Sequence, residues 1–241
     1  TGGQRLEGTV HVSGGKNTSV AVISASILSQ TPCVIENLPN IEDVNVSVET
    51  LRHLGAKVIW LPTNTAENHY RKNGKEPSKG VVVTRDGKVV DELQDIFALV
   101  KQYNAVLATG HIGAEECFPV VEAARAAGVE KIVITHPEFW VVGMTPEQQA
   151  DIVRKYDVLL ESVYAQPVNG GYKINIPDNI AAMKAIGPEH FVISTDSGQT
   201  VNPYWYESYT TYFKAVSEVF TSEQVRRMTH DNPAWLLDID Q

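Results

Sequence analysis

The chain has 241 residues, 43% of them hydrophobic, and a net charge of −9 from 20 basic and 29 acidic side chains. This length allows one large domain or two smaller ones with a sizeable core. The acidic balance, without a long Lys/Arg cluster, argues against nucleic acid or an anionic membrane as a partner. Two cysteines, Cys33 and Cys117, make no disulfide framework. With no signal peptide and no apolar run near the ~20 residues of a membrane span, we expect a cytoplasmic protein.

The first sixty residues predict a βαβαβ order. Residues 7–14 alternate apolar and polar side chains and end in a glycine pair, which indicates a strand that enters a turn. Residues 16–30 follow with helical spacing, and residues 32–39 predict a second strand. Residues 40–55 predict a second amphipathic helix that ends at a glycine, and residues 56–60 a third strand.

The next segment is polar and then returns to regular structure. Residues 71–80 are rich in charged residues, glycine and proline, which predicts a mobile loop, and His69, just before them, is expected in a flexible polar loop after a strand. Residues 80–90 predict a β-hairpin with Asp86-Gly87 at its turn. Residues 91–103 predict an amphipathic helix that leads into the next strand.

From Val106 to Asp196 one pattern occurs four times: an apolar strand, then a polar residue able to bind a metal or transfer a proton, and then a helix. The polar residues are His111, His136, Glu161 and Asp196, at intervals of 25, 25 and 35 residues, about what one βα unit needs. In a βα barrel the carboxyl ends of successive strands converge on the face that holds the active site. Two imidazoles and two carboxylates on that face suit a divalent metal and the water that it activates.

Helix signals separate and follow these strands. The helix at 114–128 ends at Gly128, the helix at 145–156 begins at Thr145, and the C-terminal helices include a start signal at Thr221 to Gln224. Strands followed by helices number about seven, where a closed barrel has eight. They are expected at 9–13, 33–36, 57–61, 106–110, 132–135, 158–163 and 191–195.

Residues 2–58 carry GGQRLEGTVHVSGGKN, ASIL, IENLPNIEDV and LRHLGAKV, and they resemble the UDP-N-acetylglucosamine enolpyruvyl transferase family. The match covers about one structural repeat of a longer family. The resemblance implies that Lys16 and Asn17 contact substrate, and a lysine beside a glycine turn suits a phosphate or carboxylate. The family's glycine-rich catalytic cysteine loop has no counterpart, since Cys33 falls in a predicted strand and Cys117 in a predicted helix.

Residues 56–240 carry WLPT followed by Asn68-His69, ATGH at His111, THPEF at His136, STDSGQ at Asp196, and DNPAWLL. These segments resemble metal-dependent hydrolases of the amidohydrolase type. The resemblance implies an α/β fold of the (βα)8 TIM-barrel kind, with metal bound after the fifth and sixth strands and an aspartate after the eighth. The His-x-His pair of the first strand is missing, because VHVSG offers His11 alone.

We therefore expect a chimera in which a transferase-like segment, 1–58, replaces the first βα units of a barrel portion, 59–241, in one fused globular unit. The favoured function is a metal-dependent hydrolase that acts on a small molecule at a carbonyl or phosphoryl centre, and a homo-oligomer is compatible with the sequence. The expected metal ligands are His69, His111, His136 and Asp196, with Asp196 and Glu161 catalytic and Tyr204 in the substrate pocket. Zinc is the expected ion, with manganese, iron or nickel as alternatives.

Two other interpretations stay open. The chain could retain enolpyruvyl transfer through Lys16 and Asn17, or it could be a scaffold without activity. The histidines at strand ends are also compatible with hydrogen-bonded structural roles, and the aromatic group around Tyr204 with ordinary packing.

Overall fold

The computed structural model describes residues 58–239, which belong to one compact unit, Lys57–Gln241. Its strands are β1 (Val58–Trp60), β2 (Thr84–Arg85), β3 (Lys88–Val89), β4 (Val106–Ala108), β5 (Lys131–Thr135), β6 (Leu159–Val163), β7 (Ala165–Val168), β8 (Gly171–Ile174) and β9 (Phe191–Ser194). Its helices are α1 (Glu67–Lys72), α2 (Glu92–Gln102), α3 (Ala114–Ala127), α4 (Pro146–Tyr156), α5 (Ile176–Ile186), α6 (Trp205–Ser217), α7 (Ser222–Arg226) and α8 (Asn232–Leu237). A π-helical turn, Arg227–Asp231, joins α7 to α8, and 3₁₀ turns cover Pro77–Lys79 and Pro188–His190.

Five of these strands form a parallel sheet in the order β1-β4-β5-β6-β9. The neighbours follow one another in the chain, without the reversal of order that marks a doubly wound sheet. This confirms the predicted α/β class and the five strands predicted after residue 56. The strands predicted at 9–13 and 33–36 lie outside the described residues, as do His11, Lys16, Asn17 and Cys33.

The alternation of side chains divides the sheet into two buried faces. One face, with Leu107, Ile134 and Leu160 fully buried, packs into the larger apolar cluster together with side chains of α2 to α5. On the other face Val106, Ala108, Val133 and Leu159 pack against Leu236 and Leu237 of α8. Burying each such aliphatic side chain stabilises the fold by roughly 1.5–3 kcal/mol. Because both faces of the sheet are apolar and buried, polar side chains lie at the carboxyl ends of the strands.

Several local signals are confirmed. Asp86 and Gly87 both have positive φ, 51° and 74°, at the β2–β3 turn, as the tight turns of hairpins require. Thr145 accepts a hydrogen bond from the Gln148 amide and begins α4. Gly128 ends α3 with φ 89°. Between residues 58 and 239 no helix is long and apolar enough to span a membrane.

Two predictions about this region were wrong or incomplete. The segment that holds His69 is not a loop, because residues Glu67–Lys72 form α1 after a bridge between Ala66 and Val81. The β7–β8 hairpin, with Asn169 at its turn (φ 50°), was not predicted. It lies between β6 and α5 and explains why the interval from Glu161 to Asp196 exceeds the other two. The Asn-Gly pair in its turn was a usable hairpin signal.

Candidate active site

Three imidazoles meet at the carboxyl end of the parallel sheet. The ring centroids of His69 and His111 lie 4.9 Å apart, and those of His111 and His136 lie 5.0 Å apart. The Nδ1 atoms of His69 and His111 are 2.8 Å apart, so one ring donates a hydrogen bond to the other, in a direction that depends on the tautomers. His111 and His136 follow the adjacent strands β4 and β5, and His69 comes from α1.

Asn68 links α1 to the backbone at His111. Its buried Nδ2 donates to the carbonyl oxygens of His111 and Val141, each at 2.9 Å. The amide of His111 donates to the carbonyl of Pro62 at 3.0 Å. Gly110 allows this approach, because a Cβ there would lie 2.4 Å from the Leu61 carbonyl oxygen, and its φ is +64°.

Two of the predicted site residues have a backbone conformation that side chains disfavour. His136 has φ 30° and Asp196 has φ 48°, each directly after or near the end of a parallel strand. Within residues 58–239 the other non-glycine residues with positive φ are all Asp or Asn, which tolerate it best. Among residues 58–239, His136 is therefore the one residue with positive φ that is not Gly, Asp or Asn, and such conformations occur preferentially at functional sites.

Burial keeps the three imidazoles neutral. It lowers the pKa of His136 to about 3 and that of His111 to about 4, with further lowering from the neighbouring histidine in each case. Burial, and then the charge of Lys75, also lowers the pKa of His69. A neutral imidazole keeps a lone pair that can bind a metal ion or accept a proton. The Nδ1 atom of His136 is buried and has no hydrogen-bond partner among the described residues.

Three carboxyl groups lie close enough to one another to repel. Burial raises the pKa of Glu138 to about 8, with Glu161 and Asp196 adding to the shift. Burial also raises the pKa of Glu161 and of Asp196, and Asp196 contributes to the shift at Glu161. Glu138 Oε1 accepts from the Val163 amide, and Glu161 Oε1 from the Ser194 hydroxyl, both at 2.9 Å. The sequence did not single out Glu138 as a site residue.

A cavity of about 610 Å³ opens over these groups. His69, His111 and Asp196 contribute to its wall, together with Thr63, Asn64, Asn73, Phe139, Trp140, Pro167, Val168, Asn169, Gly170, Gly171, Gln199 and Val201. Tyr204 is not part of this wall, is 71% exposed, and stacks on Tyr206 at 5.8 Å between centroids. Its role in substrate binding stays a prediction, and the aromatic side chains in the cavity wall are Phe139 and Trp140.

The donor atoms partly fit a divalent metal. Among residues 58–239 no three His, Cys, Asp or Glu side chains are positioned together as ligands of one ion. Two nitrogens that bind one ion with ~2.1 Å bonds and a tetrahedral angle lie about 3.4 Å apart, and the His69 and His111 Nδ1 atoms are 2.8 Å apart. The unpartnered Nδ1 of His136 is a further donor in the same cluster. The chemistry therefore suits a metal, and two of the donors are close to the required spacing.

Different parts of the chain match different known families. Residues 1–86 match EPSP synthase (3-phosphoshikimate 1-carboxyvinyltransferase), and residues 44–161 match DUF6282, a family of unknown function. UDP-N-acetylglucosamine 1-carboxyvinyltransferase 1 of Carboxydothermus hydrogenoformans is 41% identical over 68 residues, which are 28% of this chain and 16% of that enzyme. The first relatives are thus matched over about a sixth of their length. The N-terminal segment is similar to enolpyruvyl transferases, as its motifs predicted.

Two other matches are longer and more distant. The Chlamydia muridarum UDP-N-acetylglucosamine 1-carboxyvinyltransferase is 28% identical over 219 residues, which cover 83% of this chain and 48% of that enzyme. The structure of an amidohydrolase from Pseudomonas aeruginosa aligns with 81% of this chain and 82% of its own, with a TM-score of 0.50 and 11% identity. This last likeness concerns the fold. The chain thus combines a transferase-like segment with an amidohydrolase-like fold, which is consistent with a chimera.

Proposed function

We propose that this protein is a hydrolase that uses a divalent metal to act on a small molecule in the cavity above the sheet. The observation that carries the proposal is a cluster of three imidazoles, two of which line one cavity together with Asp196, while the third has a buried nitrogen that lacks a partner. An unpaired buried polar atom costs about 1–3 kcal/mol, so a ligand there would offset that cost. We also infer that the five-stranded sheet is part of the wall of a (βα)8 barrel, which its consecutive strand order supports.

His69 and His111 would hold the ion, with His136 or Asp196 as a third ligand. Zinc suits this set best, and manganese, iron or nickel are the alternatives. When bound, the ion supplies a water whose pKa is lowered toward neutrality. A nearby positive charge would also favour the ionised form of the carboxyls whose pKa burial now raises.

The chain's own groups would position the substrate and move protons. Asp196 lies on the cavity wall, where its carboxylate can take a proton from the attacking water and return it to the leaving group. Glu161, held by Ser194, lies near Asp196 and can tune that proton affinity. Phe139 packs edge-on against His111 and His136, at 5.4 and 4.8 Å between centroids, and shields the imidazoles from water on that side.

The metal is tested by mass spectrometry of the purified full chain after mild dialysis. We expect about one equivalent of zinc, manganese, iron or nickel, and a drop of at least about fivefold in the His111→Ala and His136→Asn variants, because each removes a donor. His230→Ala is the matched control, since His230 is exposed and pairs with Asp231 outside the cluster. Substoichiometric amounts of all four metals would count against the proposal.

The transferase alternative is supported by the match over residues 1–86. Lys16 and Asn17, which would carry it, lie outside the described residues. Calorimetry with UDP-N-acetylglucosamine separates this alternative from the hydrolase. No heat and no thermal shift would remove it.

A scaffold without activity is supported by the absence, in the described part of the chain, of three ligands already placed around one ion. Its test is the joint change of His111, His136 and Asp196 to Ala. A gain in stability with no loss of bound metal would favour the scaffold, because it would show that the polar cluster binds nothing.

A further inference from the structure

Two threonine hydroxyls replace backbone partners where β4 and β5 end. The register of these strands ends at Ala108 and Val133, and the Thr109 amide still donates to the Val133 carbonyl at 3.1 Å. In a continued parallel ladder the Thr135 amide would donate to the Thr109 carbonyl. It donates instead to the Thr109 hydroxyl at 3.0 Å, and the Gly110 amide donates to the Thr135 hydroxyl, also at 3.0 Å. Each strand end is thus bonded to the other through one side chain.

The bend at Gly110 explains why side chains take over from the backbone. Its φ is +64°, so the main chain turns out of the strand direction before it reaches His111. A glycine has no side chain that could bond the neighbouring strand, and the two threonines supply the acceptors. Threonine combines a β-branched side chain, which favours a strand, with a hydroxyl that accepts a hydrogen bond. The hydroxyls therefore continue the ladder past the point where the backbone carbonyls can.

These two bonds lie next to the candidate metal ligands. Thr109 comes two residues before His111, and Thr135 comes directly before His136. Both threonines are buried, with 0% and 5% of their surface exposed. The φ of His136 is 30°, and a side chain with positive φ persists only where its surroundings hold it. Because a buried amide that loses its acceptor is unfavourable, the two bonds favour one placement of the histidine backbones relative to each other.

We propose that Thr109 and Thr135 are positioning residues that hold the imidazoles of the two strand ends at their centroid separation of 5.0 Å. The step from this placement to metal affinity rests on the proposed function, whereas the placement itself does not. Neither hydroxyl needs to touch an ion, because each acts through the backbone that carries an imidazole. Loss of either hydroxyl frees one strand end, so His111 should also lose its fixed contact with His69, where the Nδ1 atoms are 2.8 Å apart.

The first test uses the metal-free full chain. Proton–nitrogen correlation NMR of the imidazole rings shows which ring nitrogens carry a hydrogen, and so detects the hydrogen bond between His69 and His111. Thr109→Val and Thr135→Val each remove one acceptor and keep a β-branched side chain, and each should change the ring signals of His111. Thr135→Ser keeps the hydroxyl and should leave those signals unchanged. Unchanged signals in both valine variants, or an equal change in the serine variant, would overturn the proposal.

Amide exchange in the wild type gives a check that does not depend on whether a variant folds. The Gly110 and Thr135 amides are buried and bonded to the two hydroxyls. They should therefore exchange with deuterium as slowly as other amides of β5. Exchange as fast as that of the exposed turn residue Gly87 would contradict the proposal, even if neither valine variant folded.

Titration with Co²⁺, followed by its visible absorption, carries the test to the metal site. We expect Thr135→Val to lower the association constant by about tenfold, because groups that hold a metal ligand in place contribute at least that much to affinity. Ser162→Ala is the matched control, since it removes a buried hydroxyl of the same sheet that accepts from Tyr212 at 3.0 Å. It should lower stability and leave the affinity for Co²⁺ unchanged. An equal loss of affinity in both variants would mean general destabilisation and would overturn the positioning role.

The outcomes separate this inference from the hydrolase. If the wild type bound no Co²⁺ while the valine variants alone changed the imidazole signals, the hydrolase would be contradicted and the positioning role sustained. If Co²⁺ bound equally well to the wild type and to the valine variants, with unchanged imidazole signals, the hydrolase would stand and this inference would fail.

Discussion

The buried polar groups at the two ends of the parallel sheet differ in whether they have partners. At the amino end Lys131, the first residue of β5, is 4% exposed and pairs with Asp238. Asn104 donates to both carboxylate oxygens of Asp238 at 3.2 and 3.3 Å. At the carboxyl end His136 has an unpartnered nitrogen, and Glu138 lies near two other carboxyl groups.

The amino end of the sheet has a structural role, and the carboxyl end is where we propose that the chemistry takes place. At the amino end opposite charges meet, so the attraction between them offsets the desolvation cost of the buried charge. At the carboxyl end burial and like neighbours make ionisation unfavourable, which shifts pKa values of imidazoles down and of carboxyls up. The positive φ of His136 lies at the same end of the sheet. Mismatched groups of this kind cluster at functional sites, where a ligand can satisfy them.

The largest expected effect is acid destabilisation of the chelator-treated protein through His111 and His136. Their pKa values are about 4 and about 3 in the folded protein and about 6.5 when unfolded. As the pH falls, the unfolded chain therefore takes up protons at a higher pH than the folded protein does. The free energy of unfolding falls as the pH drops from about 6.5 toward 4. We expect the two histidines to cost about 4 kcal/mol between pH 6.5 and 4.5, measured as the difference between the urea titrations of the wild type and of a variant without both imidazoles, in which the opposite contribution of Glu138 is the same.

The control for this profile is the variant His111→Gln/His136→Asn, which should lack the loss of stability at low pH, while His230→Gln should keep it. Asn is chosen at position 136 because it tolerates positive φ. A wild-type curve that is level from pH 6.5 to 4.5 would contradict the mismatch at the carboxyl end.

The fold after residue 57 could be predicted because its signals are local. Strand runs, the Asp86-Gly87 turn and the Thr145 cap each depend on a few neighbouring residues. Helix α1 was missed because distant contacts hold it: Asn68 bonds carbonyls of residues 43 and 73 positions away. No local pattern contains that information.

The site was predictable where it follows from strand ends. His111, His136 and Asp196 were proposed from the rule that carboxyl ends of parallel strands converge. Glu138 was not, because its carboxyl is held by the Val163 amide, 25 residues away. Sequence spacing also could not show that Trp140, rather than Tyr204, lines the cavity.

An intermediate effect is expected when the Lys131–Asp238 pair at the amino end of the sheet is broken. Asp238→Asn removes the carboxylate that faces Lys131, and it keeps an amide that tolerates the left-handed backbone there (φ 53°). The buried ammonium then lacks its counter-charge, so the free energy of unfolding should fall by about 2 kcal/mol. Asp86→Asn, in an exposed turn with φ 51°, is the control and should change little. Lys131→Met should cost less than Asp238→Asn, since it leaves no buried charge; the reverse order would contradict the pairing.

The last expected effect has the opposite sign, and it comes from Glu138 at the carboxyl end of the sheet. Glu138→Gln keeps an oxygen that accepts the Val163 amide but removes a carboxyl whose pKa is raised from 4.5 to about 8. In the wild type the folded state holds this proton more tightly than the unfolded chain, so stability falls as the pH rises from 4.5 to 8. The variant lacks that loss, so the metal-free protein should gain stability at pH 8 and little at pH 4.5. Urea unfolding at both pH values measures the gain, and Glu92→Gln on the exposed side of α2 controls for net charge. A loss of stability at pH 8 would mean that the Glu138 carboxyl is matched after all, like the pair at the amino end.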